Sequence, residues 1–446
     1  MDSKFKDILD QNLVSKAESF SASLNGNAIG EMKAARNEAL DFLKTTGFPS
    51  KKTEAYKYTN ISKEIAQNFD LSLKASIPKL STEEIKNLFA SEVEANHLVY
   101  INGVYSAELS EINSKEGELI ISTFRDVAST QPQKLESLFG KYAKSNKDAF
   151  TALNTAFSED GVLVEIPKNT ELKLPVITYF IADATESECV SFPRTLYLIG
   201  KNSKANFIHF TKSLGENKTL KNQVDEIILE ENAEGSLYKI QDDSEHSYSV
   251  GETKVYQPNN SRFTAVTITL NGAVVRNNLN IDVDGEGCEA NMYGLYLTKG
   301  KTHVDNQTEV DHIKPNSVSN ELYKGIMDEN SKGVFNGKIY VRREAQKTNA
   351  FQSNNNVLLS DKATINTKPQ LEIWADDVKC SHGCTIGQLD EEAIFYLRSR
   401  GISEDKSRAM ILRAFAREVI DKIEYAGLKE YVEREIRKRL ELEIID

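Results

Sequence analysis

Phe263-Thr-Ala-Val-Thr-Ile-Thr-Leu270 and Leu279-Asn-Ile-Asp-Val283 decide the fold. Both runs alternate with a period of two, the pattern of a strand with one buried face. Asn271-Gly272, Asp284-Gly285 and Asn336-Gly337 punctuate the region, and such pairs read as turns because both residue types tolerate a left-handed backbone. Short runs of this kind extend from about 97 to 375, more than twenty of them, with no helix-length periodic segment between. A doubly wound α/β sheet needs helices between its strands and is excluded. So many strands are also too many for one sandwich. Asn277, Asn278, Asn280 and Asn306 recur in or beside the runs, and stacked coils of strand accommodate them by laddering like side chains. No strict sequence period is visible, so barrel and β-helix both stay open on pattern alone.

The flanks read as helix. Phe5, Ile8, Leu9 and Leu13 recur at helical spacing, as do Met32, Ala35, Ala39, Leu40 and Leu43, in a stretch from 3 to about 46 that stops at Gly47-Phe48-Pro49. Ser81 and Glu84 form a capping-box pair ahead of a short helix over Thr82–Ala90. Beyond 389, Asp390 is placed to cap a helix to Arg400 with Gly401 as its terminator. Ser403 is placed to cap the next, whose apolar face runs from Ala409 to Ile423 and ends at Gly427. A charged helix over Leu428–Leu442 closes the chain, its charges a solvated face. The boundaries expected are an N-terminal helical domain over 1–95, a β core over 96–388 and a C-terminal helical domain over 389–446. Trp374 is expected to pack where the core meets those last helices, with Asp376-Asp377 as a solvated turn.

The chain has 446 residues and a net charge of −12. That length is enough for a large core. The acidic balance argues against nucleic acid and against an anionic membrane surface as partners. The first residues carry no apolar segment of the secretory kind, and the longest apolar run, near Leu174–Ala182, is too short to cross a bilayer. Four cysteines in so long a chain do not make a disulfide framework. A cytoplasmic protein with reduced thiols is expected.

Cys380-Ser-His382-Gly-Cys384 is the densest group of soft ligands. Imidazole and thiolate suit zinc, and thiolate suits iron–sulfur clusters. In an extended segment, residues 380, 382 and 384 share one face. Neighbours two apart stand roughly 6.6 Å apart and the ends about 13 Å, while a metal–ligand bond is about 2.0–2.3 Å. Two adjacent groups can reach one ion; all three cannot unless Gly383 bends the chain. Two readings stand here: an open, incomplete ligand set, or small buried cysteines beside a histidine satisfied locally. Elsewhere, Gly294-Leu-Tyr-Leu-Thr-Lys-Gly300-Lys-Thr302 fails as a phosphate loop. It has five residues between the glycines instead of four, and a strand-like run follows where a helix is required. No nucleotide is expected to bind this chain. His303 with Asp305, and Asp311 with His312, are candidate acid–base pairs, but no GxSxG or HExxH setting accompanies them. No catalytic residue is assigned, and Cys189 and Cys288 are expected to be structural.

The stretch Ala375-Asp-Asp-Val-Lys-Cys-Ser-His-Gly-Cys-Thr-Ile-Gly-Gln-Leu-Asp-Glu-Glu-Ala-Ile-Phe-Tyr-Leu-Arg-Ser-Arg-Gly-Ile402 closely resembles the signature of the SufB/SufD family. Tyr323-Lys-Gly-Ile326, Val334-Phe-Asn-Gly-Lys338, Ala345-Gln-Lys-Thr348, Pro369-Gln-Leu-Glu-Ile373 and Phe150-Thr-Ala-Leu-Asn-Thr-Ala-Phe157 agree with it. Gly47-Phe-Pro49 with Lys52, Glu54 and Lys57-Tyr-Thr59, and the wording of Gly387–Asp390 and Tyr396–Gly401, place the likeness on the SufD side. The resemblance implies a mainly β fold: a right-handed parallel β-helix flanked by N-terminal and C-terminal helical domains. It implies a non-enzymatic scaffold for iron–sulfur cluster assembly that pairs with a SufB-type sister and docks a SufC-type ATPase through its C-terminal helices, a homodimer being an alternative for the isolated chain. It makes His382, with Cys380, a ligand of a transient cluster shared with the partner. Familiar members carry alanine at the place of Cys384, so Cys384 receives no role from the resemblance; it is an extra ligand or a small filler. The sister SufB role, a zinc-binding β-helix module and a β-helix enzyme acting on carbohydrate are the other readings.

Overall fold

The computed structural model describes residues 15–16, 18–20, 29–71, 80–89 and 93–440; the expected helical positions Phe5, Ile8, Leu9 and Leu13 lie outside them. Helices α1 (Gly30–Thr46), α2 (Ile61–Asn68) and α3 (Thr82–Phe89) come first. Gly47, at a φ of 66°, ends α1 as the sequence indicates. The Ser81–Glu84 box closes in both directions: the Ser81 amide donates to Glu84 Oε2 at 2.8 Å and the Glu84 amide to Ser81 Oγ at 3.2 Å.

Strands begin with β1 (Asn96–Ile101), β2 (Val104–Tyr105) and β3 (Ile120–Thr123). Three short helices then interrupt them: α4 (Phe124–Thr130), α5 (Pro132–Leu138) and α6 (Ala149–Phe157). These contradict the expectation of an uninterrupted β region. They are seven to nine residues long, too short to show a helical period, and α4 and α6 are set by the side-chain caps Thr123 and Asp148. After β4 (Val162–Ile166), β5 (Val176–Asp183), β6 (Cys189–Ser191) and β7 (Arg194–Ile199), thirteen strands from β8 (Lys204–Leu214) to β20 (Lys379–Gly387) alternate between two sheets. Each strand pairs in parallel with the next one of its own sheet, as when Val274 pairs with His303 and His303 with Lys332, 29 residues apart each time. The chain therefore winds as a parallel β-solenoid. Its eight coils run from β4 with β5 to β19 (Thr364–Ile373) with β20.

The coils have no strict repeat because their lengths vary: Arg262 pairs with Glu289, 27 residues on, and Lys332 with Thr364, 32 on. A corner feature does recur. Asn169, Asn202, Asn232, Asn260 and Asn316 hold φ between 57° and 63°. Asn202 donates to Asn169 and Asn232 to Asn202, at 2.9 and 3.0 Å. Asparagine populates the left-handed region more easily than other L-residues. One turn pair was misread: Asn336-Gly337 lies inside β17 (Lys332–Val341), not at a corner. A Cβ at 337 would sit 2.3 Å from Gln352 Nε2, so glycine there makes room in the lumen.

Alternate residues of both sheets fill the lumen with one apolar cluster, from Leu98 through Phe207, Val255 and Met292 to Phe335. The outer face of one sheet is covered by α8 (Glu404–Ile420) and α9 (Ala426–Arg439), through Leu412, Val419, Leu428 and Ile436. The other carries α1 and α6 through Leu40, Leu43, Phe150 and Leu153. Each such side chain contributes about 1.5–3 kcal/mol on burial. Asp390 caps α7 (Glu391–Ser399), Gly401 takes a φ of 86° after it, and Ser403 caps α8, as expected. Helix α8 ends at Ile420, not Gly427, which instead lies in the first turn of α9. Trp374 is also displaced from its expected place. It is 47% exposed at the end of β19, stacked on Tyr340 at 6.1 Å between ring centres and flanked by Arg342.

Candidate functional site

Among the described residues nothing caps the end of the solenoid. Strand β20 is the last of its sheet and β19 the last of the other. Every residue of β20 except half-buried Cys380 is exposed. Its inner edge pairs with β18 (Asn349–Leu358) in the register Ala350↔Cys380, Gln352↔His382, Asn354↔Cys384. In a parallel pair, residues in register point to the same face. Ala350, Gln352, Asn354 and Asn356 are the buried, lumen-facing residues of β18. Cys380, His382, Cys384 and Ile386 therefore continue the interior stacks by one more layer, open at the end. Cys380 packs against the buried cluster that contains Ile339, Ala345 and Ala350, on the inside, and burial pushes its thiol pKa up.

The sequence reading that these three ligand types share one face of an extended strand thus matches the geometry, and Gly383 makes no bend: β20 runs through it unbroken. Among the described residues, no three His, Cys, Asp or Glu side chains come together as a metal-binding group. Trp374, Ile373, Ile386 and Phe351 are exposed at the same end, which gives the open coil an apolar rim. Edge strands with unpaired backbone groups are templates for another chain.

Behind His382 lies a polar stack that the sequence reading did not single out. Glu321 of β16 (Val318–Met327) pairs in register with Gln352, and Gln352 with His382. Across the lumen, Thr308 Oγ1 donates to Glu321 Oε1 at 2.5 Å, and Gln352 Nε2 donates to Glu321 Oε2 at 2.6 Å. Burial pushes the Glu321 carboxyl up to about 7. The polar alternation Gln352-Ser-Asn354-Asn-Asn356, with Gly337 misread as a turn, was the available signal.

The other candidates are taken up structurally. His303 Nε2 bonds Thr59 Oγ1 at 2.9 Å, while Asp305 pairs with Arg276 at 2.6 Å. Buried His312, its pKa lowered to about 4 by desolvation, contacts Ser319 Oγ, and Asp311 pairs with Arg342. Gly300 sits in the turn before β15 (His303–His312), which is a strand where a phosphate loop requires a helix, as its rejection anticipated. Cys189 and Cys288 are buried. No helix among the described residues is long and apolar enough to cross a membrane.

Comparison with known proteins points to one family. Residues 180–415 match the SufBD core domain of the SUF system for FeS cluster assembly, and residues 9–177 match the SufBD protein N-terminal region. The chain is 33% identical to an iron–sulfur cluster assembly SufBD family protein of Synechocystis, over 92% of this chain and 91% of that one. It is 28% identical to the iron–sulfur cluster assembly protein SufD of Escherichia coli, over 90% and 91%. It is 26% identical to the chloroplastic protein ABCI7 of Arabidopsis thaliana, over 96% and 90%.

Proposed function

The chain belongs to the SufBD family of iron–sulfur cluster assembly proteins, and from that premise we propose that it is the SufD-type half of a two-subunit scaffold. Its open coil docks on a SufB-type sister, and a nascent cluster, the cargo of the assembly, forms between them. His382 supplies a neutral imidazole and Cys380 a thiolate from this side, and the partner supplies the rest. Cys384 lies on the same face, two residues beyond His382. The observation that carries the reading is the uncapped last layer: soft ligands in line on an exposed edge strand, too few among the described residues to close a site.

Sharing ligands between chains suits a cluster that must be released, because separating the chains removes part of its coordination. A raised Cys380 pKa fits the same logic, since the free thiol is kept protonated until a metal displaces its proton. A SufC-type ATPase docks on the C-terminal helices, where Phe395, Tyr396 and Met410 are exposed on α7 and α8, and its nucleotide cycle moves the two subunits. The chain itself works as scaffold without catalytic residues. Co-expression with a sister subunit and an ATPase tests the proposal. A stable complex is expected, lost from the sister side on Ile386→Asp and from the ATPase side on Phe395→Asp. A chain that assembles with neither overturns it.

A further inference from the structure

We propose that Gln352 positions His382: its amide oxygen accepts a hydrogen bond from the imidazole N–H turned toward the lumen, and Glu321 locks that amide from behind. The inference rests on the reading of His382 as a cluster ligand and deepens it.

The layers are explicit. Glu321, Gln352 and His382 follow one another on successive coils of one sheet, and Thr308, Gly337 and Pro369 face them on the other. Both oxygens of Glu321 already accept bonds, from Thr308 and from Gln352 Nε2. The amide nitrogen is the end of Gln352 that faces Glu321, whose ionised form can only accept. The amide oxygen is then left over. Gln352 is 3% exposed, and its Oε1 has no hydrogen-bond partner among the described residues. A buried acceptor without a donor is costly and calls for an explanation. The amide lies against the facing sheet, in the space a side chain at Gly337 would need. The adjacent strand lies about 4.8 Å away, and the residue it places in register is His382. Pro369, the next layer of the facing sheet, has no N–H to offer.

The chemistry follows. Neutral imidazole donates from one nitrogen and presents a lone pair at the other, and an acceptor on the first fixes the tautomer and ring orientation. With its lumen-side N–H held by Gln352, His382 presents the second nitrogen to the open end, where the cluster is built.

The test uses the full chain with ring-15N histidine, its six histidines resolved by His382→Gln. The expected wild-type spectrum shows one tautomer at His382. Gln352→Met, and the paired Glu321→Met/Gln352→Met variant that leaves no orphaned carboxylate, should both relax it to a mixture. Thr367→Val, which removes another polar group at this end, should leave it unchanged. In the assembled complex Gln352→Met should slow cluster formation about 10-fold or more. A single unchanged tautomer in folded Gln352→Met, or a mixture already in the wild type, overturns the proposal. That readout needs no cluster. Normal assembly by His382→Ala would sink the ligand reading and leave the tautomer result standing, and the reverse also holds.

Discussion

Removing the Glu226 carboxylate should unlatch the helical insert of residues 124–157 from the solenoid. Arg194 and Glu226 are both fully buried and joined at 2.6 Å. Arg194 also donates to Thr155 Oγ1 at 2.9 Å and lies over the Phe139 ring at 4.4 Å. Glu226 accepts three backbone amides, from Gly140, Tyr142 and Ala143, at 3.0–3.1 Å. Breaking one side of a buried pair costs about 3–5 kcal/mol because the other charge is stranded, and each orphaned amide adds up to ~1 kcal/mol. Glu226→Ala should therefore destabilise by about 5 kcal/mol. Arg194→Met should cost less, since the carboxylate keeps its three amide donors. Urea unfolding gives the totals, and native-state hydrogen exchange gives the local effect: the amides of 140, 142 and 143 should lose protection in Glu226→Ala and keep it in Arg194→Met. Unchanged protection with a stability loss under ~1 kcal/mol would refute the reasoning, since the buried pair would then carry none of the assigned energy.

Thiol accessibility should follow burial. Under native alkylation, mass spectrometry should find Cys384 modified first, Cys380 more slowly, and Cys189 and Cys288 last, since burial raises the pKa of all three slower thiols, Cys189 to about 12. Glu252 is buried and pushed up to about 8, chiefly by desolvation and then by Asp148. A carboxyl whose folded pKa is raised costs stability as pH climbs from its unfolded value to its folded one. The advantage of Glu252→Gln over wild type should thus grow between about pH 4.5 and 8, by at most ~1.4 kcal/mol per unit, and flatten above; urea midpoints across that range check it, and a gap independent of pH would contradict it. Ile386→Asp should leave the isolated chain as stable as wild type, because Ile386 is exposed there, and weaken sister-subunit binding by about 10-fold or more through lost apolar burial; calorimetric melting and titration separate the two effects.

Much of the architecture was legible because strands with one buried face leave a two-residue period, and caps leave fixed spacings. Ser81–Glu84, Asp390 and Ser403 were read correctly on that basis. The coil itself was hidden. Coil lengths differ by several residues, so no period emerges until the left-handed corner residues Asn169, Asn202, Asn232 and Asn260 are aligned. Gly337 was misread because a glycine serving as lumen space has the same letters as one serving as a turn. The helices of 124–157 were missed because their stability comes from packing and caps, not from a long amphipathic stripe. At the site, spacing showed a shared face for Cys380, His382 and Cys384. That this face is the interior of an unfinished coil needed the register with Ala350, Gln352 and Asn354. The stack of Thr308, Glu321 and Gln352 behind it joins residues 13 and 31 apart in sequence, which no local motif marks.

The central claim is that His382 is a ligand to the cluster cargo, and His382→Ala in the complex reconstituted with the sister subunit and the ATPase tests it most directly. Followed by visible absorption and iron and sulfide content, the variant should assemble as a complex yet form little cluster. Cluster formation at the wild-type rate and yield would contradict it.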